Sequence, residues 1–264
     1  MSHLKITLVQ ANLAWEDPAA NRAYFDQRLS AIRGTTDLVV LPEMFTTGFT
    51  MNGAPLAETM DGVSVRWLRR KAVDWQADVA GSLIIREGGQ HYNRLVWATP
   101  GGQLFFYDKR HLFRMSGEQK VYAAGNDPLT VTIGRWRIRP FICYDLRFPI
   151  WSRNLGNGYD VALFVANWPA ARAAHWTALL TARAIENQAY VIGVNRVGLD
   201  GNGHGYSGDS MAVDPQGQVI FHARDQEVVY TVALDAAAQD AYRQSFPAWR
   251  DADGIAPGSP PAAG

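Results

Sequence analysis

Apolar positions along this chain fall into two alternating rhythms. Short β-branched runs are followed by longer stretches with helical spacing, the pattern of a fold in which helices cover sheets. In the first half Lys5 to Val9 reads as a strand, Pro18 to Arg33 as a helix, Asp37 to Leu41 as a second strand and Val63 to Gln76 as a second helix. Strand-like runs follow at Ala80 to Ile85, Arg94 to Thr99 and Leu104 to Tyr107. Gly88-Gly89 and Pro100-Gly101-Gly102 punctuate them as turns, so these three strands are expected to pair antiparallel.

The second half repeats the theme. Trp136 to Tyr144 predicts a strand and Ile150 to Asn154 a short helix; Val161 to Ala166 is apolar at every position, as in a parallel strand covered on both faces. Ala174 to Gln188 is the strongest helix, with Trp176, Leu179, Leu180, Ala184 and Ile185 at helical spacing. Tyr190 to Asn195 predicts another buried strand, Gly198 to Gly208 a glycine-rich loop at a pocket edge, and Asp214-Pro-Gln-Gly217 a turn between two short strands. A strand near Val228 to Leu234 leads into a helix ending by Phe246. No linker-like break divides these elements. Residues 1–250 therefore predict one α/β domain of two facing sheets with helices outside. Residues 251–264 predict a tail, in which Gly254 to Gly264 has too little apolar surface to offset its ordering entropy.

Composition narrows the class. A chain of 264 residues that is 47% hydrophobic can bury a large core, and equal totals of 25 basic and 25 acidic residues argue against a nucleic-acid partner. The opening apolar run is too short for a signal peptide, and no segment approaches the ~20 apolar residues of a membrane span, so a soluble cytoplasmic protein is expected. The single cysteine, Cys143, cannot form an internal disulfide, which fits a reducing compartment.

Cys143 follows an apolar strand in Pro140-Phe-Ile-Cys-Tyr-Asp-Leu-Arg-Phe-Pro149. It is either an inert buried thiol or a nucleophile at the carboxyl edge of a sheet, where the following backbone N–H groups would favour thiolate. Glu43 ends Asp37-Leu-Val-Val-Leu-Pro-Glu43, again where a buried strand meets a loop. It either caps the amides of Met44 to Gly48 or serves as an acid–base group. Lys109, after the strand Leu104 to Asp108, belongs to a solvated turn or stabilises an anionic intermediate. Glu118 either orients a lysine or lies on the surface. Jointly, an acid, a cation and a thiol at three strand ends form the constellation that attack on an amide carbonyl requires.

Leu41-Pro-Glu43, Tyr107-Asp-Lys-Arg-His-Leu-Phe113, Cys143-Tyr-Asp-Leu-Arg-Phe148 and Arg183-Ala-Ile-Glu-Asn-Gln188 resemble, in matching order, the nitrilase or carbon–nitrogen hydrolase superfamily over roughly residues 4 to 250. The resemblance implies a four-layer α-β-β-α sandwich that pairs into an eight-layer homodimer. It also implies a catalytic triad of Glu43, Lys109 and Cys143, with Glu118 assisting and no metal or other cofactor. Tyr144-Asp145-Leu146-Arg147 after the cysteine looks like the amidase branches, and Val165-Ala-Asn-Trp-Pro169 and Phe246-Pro-Ala-Trp249 look like the bacterial ω-amidases. Those enzymes hydrolyse the terminal amide of α-keto acid monoamides such as α-ketoglutaramate and α-ketosuccinamate.

The implied cycle runs through a Cys143 thioester, with Lys109 and the backbone N–H of Tyr144 facing the oxyanion. Such a substrate keeps a carboxylate at its other end. Arg147 is the first candidate to bind it, or else it pairs with Asp145 or a glutamate; Arg172 and Tyr206 are further candidates. Trp168 is a pocket wall or core residue. Arg183 and Glu186 suit an i,i+3 ion pair, and Trp151 and Trp176 suit core or dimer packing. The rivals are another amidase or a carbamoylase of the same superfamily and, from a different class, a non-catalytic thiol-based sensor or binding module.

Overall fold

The computed structural model describes residues 2–253, so the expected tail lies outside the described residues from Gly254 onward. The first half contains β1 (His3–Gln10), α1 (Pro18–Arg28), β2 (Leu38–Val40), α2 (Gly53–Leu56), α3 (Val63–Trp75), β3 (Asp78–Glu87), β4 (Gln90–Ala98) and β5 (Leu104–Asp108). The second half contains β6 (Val131–Ile133), β7 (Trp136–Ile142), α4 (Pro149–Ser152), β8 (Val161–Ala166), α5 (Ala173–Asn187) and β9 (Tyr190–Asn195). It ends with β10 (Val197–Leu199), β11 (Gly205–Val213), β12 (Val219–Arg224), β13 (Val228–Asp235) and α6 (Ala236–Ser245).

Two mixed sheets result, ordered β13-β1-β2-β3-β4-β5 and β10-β11-β9-β8-β7-β6, with β12 on β11. Strand alternation splits the side chains between two cores. Leu4, Ile6 and Leu8 of β1 join Ile138, Leu163 and Ile192 between the sheets, while Phe141 and Phe164 point to the other face of the second sheet, on the side of Trp176, Leu180 and Ala184 of α5. Val39, Val79 and Val96 point the other way, under Phe25 of α1 and Val65, Leu68 and Trp75 of α3. The layering is α-β-β-α, as the resemblance implies.

Local chemistry sets the helix ends. Asp17 accepts from Ala20 N–H at 2.9 Å to cap α1, and Asp235 accepts from Ala237 N–H at 2.8 Å to cap α6. Helix α1 stops at Arg28, short of the expected Arg33, because the chain leaves helical geometry at Leu29 and folds back in turns that bury Leu29 and Ile32.

The Gly198 to Gly208 segment is not a plain loop. Its ends pair as β10 and β11, Val197 opposite Ser207 and Leu199 opposite Gly205. Asp200 ties the turn between them by accepting from the N–H groups of Asn202 (2.8 Å) and His204 (2.9 Å). A side chain at Gly201 would meet the Trp15 indole at 2.3 Å, so the turn lies flat on Trp15.

Strand direction gathers the chemistry. β1, β2 and β3 run parallel, as do β7, β8 and β9, and β5 returns to the direction of β3 through two antiparallel steps. The exits of β2, β5, β7 and β8 therefore share one end of the sandwich, the edge at which α/β sheets present reactive groups.

Candidate active site

Past β2 the chain delivers Glu43, fully buried. Its carboxylate does not cap the following turn; Met44 N–H donates instead to Ser82 Oγ at 2.7 Å. Glu43 Oε1 accepts from Lys109 Nζ at 2.9 Å and Asn93 Nδ2 at 2.8 Å, and Oε2 accepts from the backbone N–H of Asn167 at 2.7 Å. Lys109, just past β5, is not in a solvated turn. It is fully buried and also donates to both oxygens of Glu118, each at 3.0 Å. Glu118 is equally buried rather than superficial, and Phe113 N–H holds its Oε2 at 2.5 Å.

One ammonium thus lies between two carboxylates in a dry setting. Burial alone would lower Lys109, but Glu118 and Glu43 outweigh it and raise the lysine above its ordinary value. Burial likewise raises Glu118, against the pull of Lys109.

Strand β7 ends one residue before Cys143, which adopts φ = 44° and turns the chain into a short 3-10 segment, Cys143–Arg147. A non-glycine residue in that region is uncommon, and here it throws the thiol out of the sheet and into a cavity of about 710 Å³. Burial, reinforced by Glu43 and only partly offset by Lys109, raises the Cys143 thiol well above its ordinary value. That direction runs against the expectation that the following N–H groups favour thiolate.

Lys109, Tyr144, Arg147, Trp168, Arg172 and Tyr206 line the same cavity. Arg147 does not pair with Asp145 or with a glutamate. Its Nη2 donates to His175 Nδ1 at 3.0 Å and its guanidinium lies 4.7 Å from the Trp168 ring centroid. Arg172 lies 5.5 Å from the Phe113 ring. Neither arginine has a carboxylate partner among the described residues. Trp168 is both wall and core: it borders the cavity, is only 3% exposed, and donates through Nε1 to Arg172 O at 2.8 Å. The Tyr206 hydroxyl donates to Asp200 Oδ2 at 2.9 Å, and burial together with Asp200 raises it above its ordinary value.

Arg183 and Glu186 pair at 3.0 Å as expected, and Arg183 also donates to Leu146 O at 2.7 Å, steadying the cysteine segment. Trp151 and Trp176 are core residues. Two groups of the site were missed in the sequence, Asn93 and Asn167, and Asp145 was read there only as a candidate partner of Arg147. Asn167 stands immediately past β8, a strand exit like the others, and could have been found by that logic. Asn93 lies within β4 and carried no such signal. Among the described residues, no cluster of His, Cys, Asp and Glu is placed to hold a metal, and no helix is long and apolar enough to cross a membrane.

Known proteins resemble this chain in sequence and in backbone. The carbon-nitrogen hydrolase family pattern matches residues 5–244. Omega-amidase YafV of Escherichia coli (strain K12) is 53% identical over 254 residues, spanning 96% of this chain and 98% of that protein. The 2-oxoglutaramate amidase of Bacillus subtilis (strain 168) is 31% identical over 250 residues, spanning 93% of this chain and 96% of its own. The crystal structure of XC1258 from Xanthomonas campestris, a CN-hydrolase superfamily protein with an arsenic adduct in the active site, superposes with a TM-score of 0.95 at 48% identity, covering 96% of this chain and 98% of that one. By sequence along nearly its whole described length and by backbone, the chain belongs to the carbon–nitrogen hydrolase, or nitrilase, superfamily and is a hydrolase of carbon–nitrogen bonds.

Proposed function

We propose that the protein is an ω-amidase that releases ammonia from the terminal amide of small α-keto acid monoamides, α-ketoglutaramate (2-oxoglutaramate) and α-ketosuccinamate among them. In this reading Cys143 is the nucleophile, Glu43 the base, Lys109 and Tyr144 N–H the oxyanion donors, and Glu118 the group that orients the lysine. The observation that carries it is the Lys109 ammonium, held between Glu43 and Glu118 in the wall of a cavity that also receives the Cys143 thiol.

Because burial favours the protonated thiol, a base has to act as sulfur attacks. Glu43 takes the Cys143 proton while Sγ bonds to the amide carbon, and the carbonyl oxygen becomes an anion facing Lys109 Nζ. Tyr144 N–H is the second donor, since the first N–H groups of a helical segment have no acceptor within it. Glu43 passes the proton to the amide nitrogen, the carbon–nitrogen bond breaks, and ammonia departs from an acyl-thioester. Water then gives a proton to Glu43 and attacks the acyl carbon. The carbon–sulfur bond breaks, the acid leaves and sulfur recovers its proton. No other group needs to enter the balance.

The free cations at the cavity wall support a substrate with a distal carboxylate. Arg147 and Arg172 supply the charge, and Trp168 and Tyr206 shape the space between them. The names of the E. coli and B. subtilis relatives point to the same substrate class. On the outer helical layer Ile150, Ile185 and Phe246 are 58%, 49% and 57% exposed, which supports pairing of two copies through that layer.

The test is ammonia release from α-ketoglutaramate and α-ketosuccinamate beside an uncharged aliphatic amide and an N-carbamoyl amino acid, with Arg147→Ala in parallel. Preference for the keto acid amides, with KM raised at least tenfold by Arg147→Ala for these alone, supports the reading. Preference for the uncharged amide or the carbamoyl compound would move the protein to a sister branch.

A further inference from the structure

Asp145 is fully buried two residues after the nucleophile, yet it touches neither the cavity nor any cation of the triad. Its carboxylate receives four hydrogen bonds. Oδ1 accepts from the backbone N–H of His111 and from His111 Nδ1, both at 2.9 Å. Oδ2 accepts from Tyr107 Oη at 2.6 Å and from Ile142 N–H at 3.0 Å. A carboxylate only accepts, so His111 carries its proton on Nδ1. Tyr107 is a firm donor as well, because burial and the neighbouring Asp145 raise its hydroxyl well above the ordinary value.

These four donors lie on the two segments that the chemistry has to bring together. Tyr107 and His111 flank Lys109 at two residues on either side, and Ile142 precedes Cys143. The Tyr107 hydroxyl also accepts from Trp151 Nε1 at 2.9 Å and from Arg110 N–H at 3.3 Å, and the His111 ring stacks on Phe148 with centroids 3.8 Å apart. Both ends of the 107–111 segment are therefore fastened to the Cys143–Arg147 turn through one carboxylate.

Resting on the roles given above to Cys143 and Lys109, we infer that Asp145 is a positioning residue that sets the spacing between the nucleophile and the oxyanion-binding lysine. Cys143 sits at φ = 44°, a conformation that persists only where its surroundings over-determine it. Asp145 supplies that constraint on one side, through Ile142 N–H. On the other it holds the backbone that aims Lys109. Asparagine cannot replace it, because in either orientation its amide N–H₂ group would face a backbone N–H, that of His111 or that of Ile142. A shift of about 1 Å between reacting groups costs on the order of 100-fold in rate with little change in ground-state binding.

Two variants test this, Asp145→Asn and the milder Tyr107→Phe, which deletes one donor and keeps the ring. Arg243→Ala, remote from the cavity, serves as a control for lost stability. The expected result is a fall in kcat of about 100-fold for Asp145→Asn and about 10-fold for Tyr107→Phe, with KM within threefold of the parent enzyme. The rate of iodoacetamide labelling should also change in both; it reports on Cys143 alone because the chain has no other cysteine. Arg243→Ala should lower the melting temperature and leave kcat, KM and labelling unchanged. A parental kcat and labelling rate in both variants, or losses that Arg243→Ala reproduces at an equal loss of melting temperature, would overturn the inference. If Asp145→Asn does not fold, Tyr107→Phe decides by the same criteria. Cys143→Ala in the same series keeps the two failures apart: turnover that survives it sinks the nucleophile assignment, whereas loss there with parental Tyr107→Phe sinks only the role of Asp145.

Discussion

Replacing Lys109 by methionine keeps the length of an apolar stem and deletes one ammonium. Three hydrogen bonds disappear, one to Glu43 and two to Glu118, and two fully buried carboxylates are left bridged only by Asn93 Nδ2, at 2.8 and 3.3 Å. Like charges that close and that dry cannot both remain ionised, so one carboxylate takes a proton. Removing one partner from a buried ionic cluster costs about 3–5 kcal/mol of stability. The rate suffers on two counts. Loss of an oxyanion donor costs about 100-fold to 1,000-fold, and partial protonation of Glu43 weakens the base on top of that. Lys109→Met should therefore lower kcat by about 1,000-fold or more, with a smaller change in KM because the lysine acts on charge that develops only in the transition state. Initial rates of ammonia release, taken where thermal unfolding shows the variant to be folded, measure this. A folded Lys109→Met enzyme with kcat within tenfold of the parent would refute the role given to the lysine.

Away from the cavity, burial pushes Asp78 up to about 6 from 3.8, against the 2.7 Å hydrogen bond from Trp97 Nε1 and with a smaller push from Asp37. The folded carboxyl holds its proton more tightly than the unfolded one, so its contribution to stability is lost as pH rises between about 4 and 6. Asp78→Asn should gain about 1–2 kcal/mol over the parent near pH 8 and nothing near pH 4, a figure already discounted for partial solvent screening and readable from urea unfolding at the two values. Arg243 joins α6 to the second sheet through Asp160 Oδ1 (2.8 Å), Tyr159 O (2.9 Å) and Gln188 O (2.9 Å); Arg243→Ala should cost about 2–3 kcal/mol in the same assay, with unchanged kcat. Gly201→Ala would drive a methyl group into Trp15, so it should cost about 1–3 kcal/mol and raise KM by shifting the pocket wall, which steady-state kinetics would register.

Local pattern revealed the groups that stand at strand exits and hid those whose partners are distant. Val161 to Ala166 was readable to the residue because an unbroken apolar run has no other place in a two-sheet fold, and Tyr190 to Asn195 was readable from its β-branched apolar start. Glu43, Lys109 and Cys143 each kept a structural alternative when taken alone and stood out jointly, as an acid, a cation and a thiol at three strand ends inside matching family segments. Asn93 did not, since its carboxylate partners lie 50 and 25 positions away and nothing in Tyr92-Asn93-Arg94 announces them. Asp145 looked like a partner for Arg147 two residues on, yet it turns inward to Tyr107 and His111 while Arg147 turns outward to His175. The glycines of residues 198–208 suggested a loop. Pairing with β11 and the Asp200 turn override that weak strand propensity. The thiol was misjudged because neighbouring N–H groups are visible in sequence and the desolvating walls are not.

The central claim is that turnover passes through a bond between Cys143 Sγ and the acyl group. Rapid acid quench of the enzyme with α-ketoglutaramate, followed by intact and peptide mass spectrometry, tests it most directly. A transient adduct heavier by the acyl group less one hydrogen, mapped to the peptide containing Cys143 and absent with Cys143→Ala, is the result the account predicts. Ammonia release by Cys143→Ala at the parental rate, with no adduct on either protein, would contradict it.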